Sequence, residues 1–266
     1  DERWRSGQCL ADPDRCGKGV IRLDFGKSFF FKGQPVIDLI FERMPATFIL
    51  AFSSLMIGLL GIPLGFIAAM NRGRRLDHTI RISTVLLNTV PHWWLGLLLL
   101  IFLGGFLGLV PLSGMQTVGD GSFLDRLHHL ILPATVGAIG GWIGYSRILR
   151  FEVLEVLNQD YVRTARAKGL TERAVMAKHV LRNAVMPLIT GLSGIFLLAL
   201  SGSILFETVF SWPGMGRLAI TAINTRDYPV IMGLFVIGSV LGILGLLMVD
   251  VLYSVIDPRV RYDITK

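Results

Sequence analysis

The side chains able to do chemistry are few, and their spacing is poor for it. Phe25-Gly26-Lys27-Ser28 has the ending of a phosphate loop, which would cradle a nucleotide on backbone N–H groups. That pattern needs another glycine five residues before its last one, and position 21 is Ile. His128 and His129 are adjacent, so a helix aims their rings about 100° apart, poor geometry for one metal ion; they read as interfacial polar residues. Ser113, Ser201 and Ser203 stand in no Gly-x-Ser-x-Gly turn and beside no evident base. Cys9 and Cys16, close together in a polar segment, favour an intrachain disulfide over two free thiols or a metal pair lacking other ligands nearby. The sequence therefore points to no enzyme, no metal site and no cofactor held by this chain. What remains is chemistry of passage: Asn88, Glu207 and Asp250 are polar groups in or beside apolar runs, where they are costly and can mark a route for solutes. Glu207 and Asp250 also lie near the ends of such runs, where headgroups or loop amides would satisfy them. Trp93 and Trp94 beside Pro91 suit either a kinked gate or a packed helix interface. Ser211 to Gly216, "SWPGMG", reads as a tight turn that could border the mouth of such a route.

The elements that hold these residues must be helices in a membrane. Hydrophobic residues are 52% of the 266, charged residues only 17%, and the mean hydropathy is +0.61, which excludes an ordinary soluble domain and predicts an all-α, polytopic membrane protein. A membrane-buried backbone must satisfy its own hydrogen bonds, so each span needs about 20 apolar residues in a helix. Five stretches qualify: 45–70, 83–110, 131–149, 184–206 and 230–256. The third is the weakest, diluted by Gly137, Gly140, Gly141 and Gly144, which there favour close helix packing.

Charge gives the orientation. Lys and Arg cluster in 71–81, in 161–187 and in the tail, whereas 111–130 carries the single Arg126; short basic connections face the cytoplasm. An odd number of spans then leaves 1–44 outside as an external segment and 259–266 inside as a cytoplasmic tail, with the membrane domain over 45–258. The N-terminal segment balances its many basic residues with acids, and long polar segments obey the charge rule poorly. No signal peptide is visible to carry it across, so a preceding span missing from this chain is expected.

The longest basic interruption, "YVRTARAKGLTERAVMAKHVLRNAVMP" from Tyr161 to Pro187, predicts a short helix over 161–168. Gly169 sits in the left-handed position that ends it, and Thr171 caps a second helix running to Asn183. Physics alone leaves two readings, an interfacial basic helix or a docking knob for a cytoplasmic partner. The segment resembles the EAA loop of binding-protein-dependent ABC importer permeases, with Arg163-Thr164-Ala165 at the Glu-Ala-Ala triplet and Gly169 as its glycine. The first position departs from that pattern and is nearer to the peptide/nickel branch. "DFGKSFFFKGQPVIDLIFERMPATFILA" (24–51), "ETVFSWPGMGRLAITAINTRDYPVIMG" (207–233) and "DVLYSVIDPRVRY" (250–262) also resemble the first permease of that branch.

The resemblance implies a type I ABC importer transmembrane domain in a bacterial or archaeal inner membrane. Its implied partners are a second permease subunit, two cytoplasmic ATPases carrying ATP and Mg, an external substrate-binding protein and membrane lipid, with no nucleic acid. It implies that the segment 158–183 couples ATPase movement to the spans through Arg163, Thr164, Ala165, Lys168 and Gly169, with small Ala165 leaving room for a partner's surface. Asn88, Trp93, Glu207 and Asp250 remain the candidates for the path. A self-contained channel or secondary transporter is the competing expectation, and it would need ion-coupling or gating groups where few intramembrane charges exist.

Overall fold

The computed structural model describes residues 24–188 and 203–256, so Cys9, Cys16 and most of the fourth expected span lie outside the described residues. Apolar sequence becomes helix as expected, with different bounds. Helix α1, Val36–Gly58, and helix α2, Gly61–Met70, run on as one stretch of 35 residues, long and apolar enough to cross a membrane. The stretch starts at Val36 instead of at 45. Asp38, Glu42 and Arg43 lower the hydropathy of its first turns, yet Val36, Leu39 and Ile40 are buried against Met215, Leu218 and Val230. The division at 44/45 therefore cuts through a helix.

The second expected span is broken. Helix α3, Arg75–Thr89, and helix α4, His92–Leu99, which continues as a π-helical stretch Leu100–Phe106, meet at 91°. Pro91 forces the break: it pushes the preceding Val90 into an extended conformation at φ −97°, ψ 129°. Helix α5, Phe123–Val156, begins at the Ser122 cap, whose Oγ accepts from the Asp125 N–H at 3.2 Å. Its 34 residues extend about 51 Å, although it is too polar to rank among the helices apolar enough to cross a membrane alone. It gives up hydropathy because it is interior, packed along α1 and α2.

Glycines set that packing. A Cβ on Gly61 would stand 2.8 Å from the Trp142 Cα, and one on Gly65 only 2.4 Å from the Ser146 carbonyl oxygen. Gly141 faces Gly58 backbone to backbone, and Gly137 touches Ser54. Two small-residue spacings, 54/58 against 137/141 and 61/65 against 142/146, let the backbones meet closely, as in membrane helix dimers. Gly144 faces open space and Gly140 makes only an ordinary contact with His92, so two of the four expected glycines have no part in the close approach.

Short helices follow α5: α6, Asp160–Ala167; α7, Glu172–Ala174; a π-helical stretch Val175–Leu181; and α8, Arg182–Ala184. Beyond the undescribed residues come α9, Ile204–Val209, α10, Met215–Asn224, and α11, Tyr228–Ile256, of which Tyr228–Met248 is again apolar enough to cross. Asp250 lies on α11.

The molecule has two distinct ends. At one, Ala69, Leu149, Val153 and Val156 share an apolar cluster with Val162, Ala165 and Val175. At the other, the starts of α1 and α11 pack with α10, and Trp212 packs with Ala46, Leu50 and Met115. At this second end the buried Asp227 carboxylate accepts from the Ser28 hydroxyl and from the N–H groups of Phe29 and Phe30, at 3.2 and 3.1 Å. The phosphate-loop-like residues thus have a structural occupation: Ser28 straps the 26–33 turn to the start of α11.

Candidate functional site

The basic segment after α5 is a helical hairpin rooted in the membrane bundle. Helix α6 ends as its sequence demands. Gly169 has φ +79°, its N–H donates to the Arg166 carbonyl at 2.9 Å, and the Leu170 N–H reaches back to Ala165 at 3.4 Å. These are the two bonds of a Schellman ending, which favours glycine at the left-handed position. Thr171 then caps α7, its Oγ1 accepting from the Ala174 N–H at 3.4 Å. Arg166 closes the turn with two bonds to Glu172, at 2.7 and 3.1 Å, and holds that carboxyl below its usual range.

The hairpin has an inner and an outer side. Val162, Ala165, Val175, Met176 and Val180 are buried against Val153, Val156 and Leu149 of α5. Arg163, Thr164, Lys168, Gly169 and Leu170 are exposed. The Thr164 hydroxyl is spent on the Asp160 carbonyl at 2.9 Å, and Arg163 makes only a loose contact of 3.6 Å with Asp160, worth little at an exposed site. The expectation for Ala165 is corrected. It is 5% exposed, and its smallness admits this chain's own α5, not a partner's surface. An outward strip formed by Arg163, Thr164, Lys168 and Gly169 remains available to a partner.

The polar residues picked out for a path do not converge. Asn88 is exposed on α3, and Trp93 is exposed just past the break. The break does place the tryptophans at a sharp kink. Beside them His92, unremarked in the sequence, buries an Nε2 atom with no hydrogen-bond partner, as does the Tyr145 hydroxyl on α5; neither has a periodicity that would reveal it.

Glu207 turns inward. It is 1% exposed, and its carboxylate accepts from the Thr47 hydroxyl at 2.8 Å and the Arg217 N–H at 3.0 Å. Thr47 in turn accepts from the Met215 N–H at 2.8 Å. The pair satisfies first-turn donors of α10, and a Cβ on Gly214 would lie 2.5 Å from both Glu207 and Thr47. Trp212 seats the same turn, donating to the Ala46 carbonyl at 2.7 Å from a fully buried position. In this structure Glu207 therefore holds the 211–216 turn onto α1 instead of facing a route.

The described residues gather no three His, Cys, Asp or Glu side chains fit for a metal. The sequence profile of the family described as "Binding-protein-dependent transport system inner membrane component" matches residues 61–262. The oligopeptide transport system permease protein AppB of Bacillus subtilis is 41% identical over 245 residues, 91% of this chain and 78% of that protein. The dipeptide transport system permease protein DppB of Haemophilus influenzae is 39% identical over 266 aligned residues, with the same coverage. Among solved structures, a chain of the MetNI methionine ABC transporter superposes with a TM-score of 0.59 at 17% identity, covering 81% of this chain and 97% of that one. A chain of an amino acid ABC transporter gives 0.58 at 15%, covering 82% and 94%. At such identities the superpositions speak to the fold.

Proposed function

This chain belongs to the family of binding-protein-dependent transport system inner membrane components, and from that premise we propose that it is the permease subunit through which an ATP-driven importer passes peptides. Peptide is the solute because the permeases it resembles at about 40% identity are named for oligopeptide and dipeptide transport. The observation that carries the reading is the hairpin: a capped, glycine-ended turn whose inner side is welded to α5 and whose outer side presents Arg163, Thr164, Lys168 and Gly169.

A cytoplasmic ATPase would seat that outer strip in a groove and push α5 through Val162 and Ala165. The chain is not the motor, since its one phosphate-loop-like stretch lacks the required glycine. ATP and Mg belong on two partner ATPases, a second permease completes the path, and an external binding protein delivers the peptide. The hairpin end faces the cytoplasm, the 26–33 and 211–216 turns face outside, and the route runs past the broken span, with Asn88, Trp93 and Asp250 as its candidates. Reconstitution tests this. The chain with its second permease, two ATPases and binding protein should take up labelled peptide only when ATP is present. Ion-driven uptake by this chain alone would overturn the reading in favour of a secondary transporter.

A further inference from the structure

A groove of about 320 Å³ opens between α2, α3 and α5 at the hairpin end of the bundle, lined by Arg81, Arg147 and Arg150 together with Ala68, Val85 and Phe151. Its charges have a definite logic. Helix α3 carries Asp77 and Arg81 four residues apart, and α5 carries Arg147 and Arg150 three apart, so each helix presents a pair on one face. The inner members meet: Arg150 donates to both carboxylate oxygens of Asp77 at 2.7 and 2.9 Å, and the Gly73 N–H adds a third bond at 3.0 Å. Asp77 is 1% exposed and fully engaged. Three guanidiniums therefore face one carboxylate. Arg81 and Arg147 are left as two positive charges, both exposed, on the rims of a groove held rigid by the ion pair between them.

The surroundings are apolar. Val85 and Phe151 are 58% and 63% exposed beside the arginines. A pair of cations with an apolar strip next to it matches a ligand with an anionic head and hydrocarbon tails, and basic pockets between membrane helices bind such headgroups. We propose that this groove is a binding site for an anionic phospholipid of the leaflet nearest the hairpin. The phosphate lies between Arg81 and Arg147, and an acyl chain runs from there over Val85, away from the hairpin. A lipid held there touches α3 just before the break at Pro91 and α5 just before the hairpin. The proposal needs only that these helices stand in a membrane, so its failure leaves the transport reading untouched.

The test is native mass spectrometry of the full chain in mild detergent, with added phosphatidylglycerol or phosphatidylethanolamine. Phosphatidylglycerol should be retained and phosphatidylethanolamine lost at least about fivefold more readily. Replacing Arg81→Gln and Arg147→Gln together should weaken retention roughly 25-fold, about fivefold for each charge. The pair Arg81→Lys and Arg147→Lys should retain the lipid, and Arg173→Gln, outside the groove, should change nothing. If the glutamine variants do not fold, the lysine pair and the comparison of the two lipids still decide the matter. Equal retention of both lipids, or undiminished phosphatidylglycerol on a folded glutamine variant, overturns the site. Displacement of the lipid by millimolar inorganic phosphate would make it a free-anion site, and photocrosslinking from p-benzoylphenylalanine placed at position 151 to another subunit of the assembled complex would make it a protein interface; either result also overturns the proposal.

Discussion

Ala165 and Glu207 are each explained by what they touch inside the chain, and each therefore separates stability from transport. A glutamate at 165 would thrust a carboxylate among Val153, Val156 and Val162, at a cost of several kcal/mol for an unpaired buried charge. Ala165→Glu should lower the melting temperature in detergent and the yield of folded chain. Arg163→Glu, on the exposed strip, should stay within about 0.5 kcal/mol of the parent while abolishing recovery of the ATPases on affinity purification. Equal melting temperatures for the two variants would show that residue 165 does not pack inward. For Glu207→Gln, an amide NH2 replaces one of the acceptors used by Thr47 and Arg217, leaving a buried donor unmet at about 1–3 kcal/mol. The expected outcome is a lower melting temperature with solute selectivity unchanged in the variant that folds. Altered selectivity at an unchanged melting temperature would return Glu207 to the path.

At the scale of elements, the contact of α2 with α5 depends on two backbones with nothing between them. Gly65→Ala would place a methyl 2.4 Å from a backbone oxygen that cannot move aside alone, so the helices must part. Overpacking of this kind costs about 1–3 kcal/mol or more, and the folded yield should fall. Gly144→Ala, on α5, meets no atom within 4 Å and should be neutral or slightly stabilising through helix propensity. A neutral Gly65→Ala, measured by thermal melting in detergent, would show that the helices are not in close contact. The contrast also marks what sequence could reveal. A glycine-rich third span announced close packing, but composition cannot say which glycine faces which neighbour, and Gly61 and Gly65 passed as ordinary apolar sequence. The hairpin was legible because its signals are local: Gly169 for the left-handed turn and Thr171 for the cap act within a few residues. The bonds from Asp227 to residues 28–30 and from Glu207 to Thr47 join positions nearly 200 and 160 apart in sequence, and no periodicity encodes them. The break at Pro91 lies between the two cases, since the proline was visible while a 91° turn needed the neighbouring packing to fix it.

For the whole molecule, α5 is the measuring rod. Its first turns lie by the 117–125 contacts, where the Asp125 carboxylate accepts from the Thr117 N–H and hydroxyl at 2.6 and 2.7 Å. Its last turns carry Arg150 and the root of the hairpin, and the whole helix is about 51 Å long. That length exceeds the roughly 40–45 Å of a bilayer with its headgroups, so α5, if it stands across the membrane beside α1 and α2, brings its two ends out on opposite sides whatever the count of the remaining spans. Ala69 and Asp77 belong to the hairpin end by direct contact, so the proposed topology puts Arg74 and Arg173 in one compartment and Val118, fully exposed, in the other. Single cysteines at these positions should therefore label as two classes in intact cells. Val118→Cys should react with a membrane-impermeant maleimide added outside, and Arg74→Cys and Arg173→Cys only with a permeant one. A shared pattern for Arg74→Cys and Val118→Cys would mean that α5 does not cross. The reverse pattern, with Arg74→Cys and Arg173→Cys reacting from outside, would leave the fold intact and remove the hairpin from the reach of any cytoplasmic ATPase.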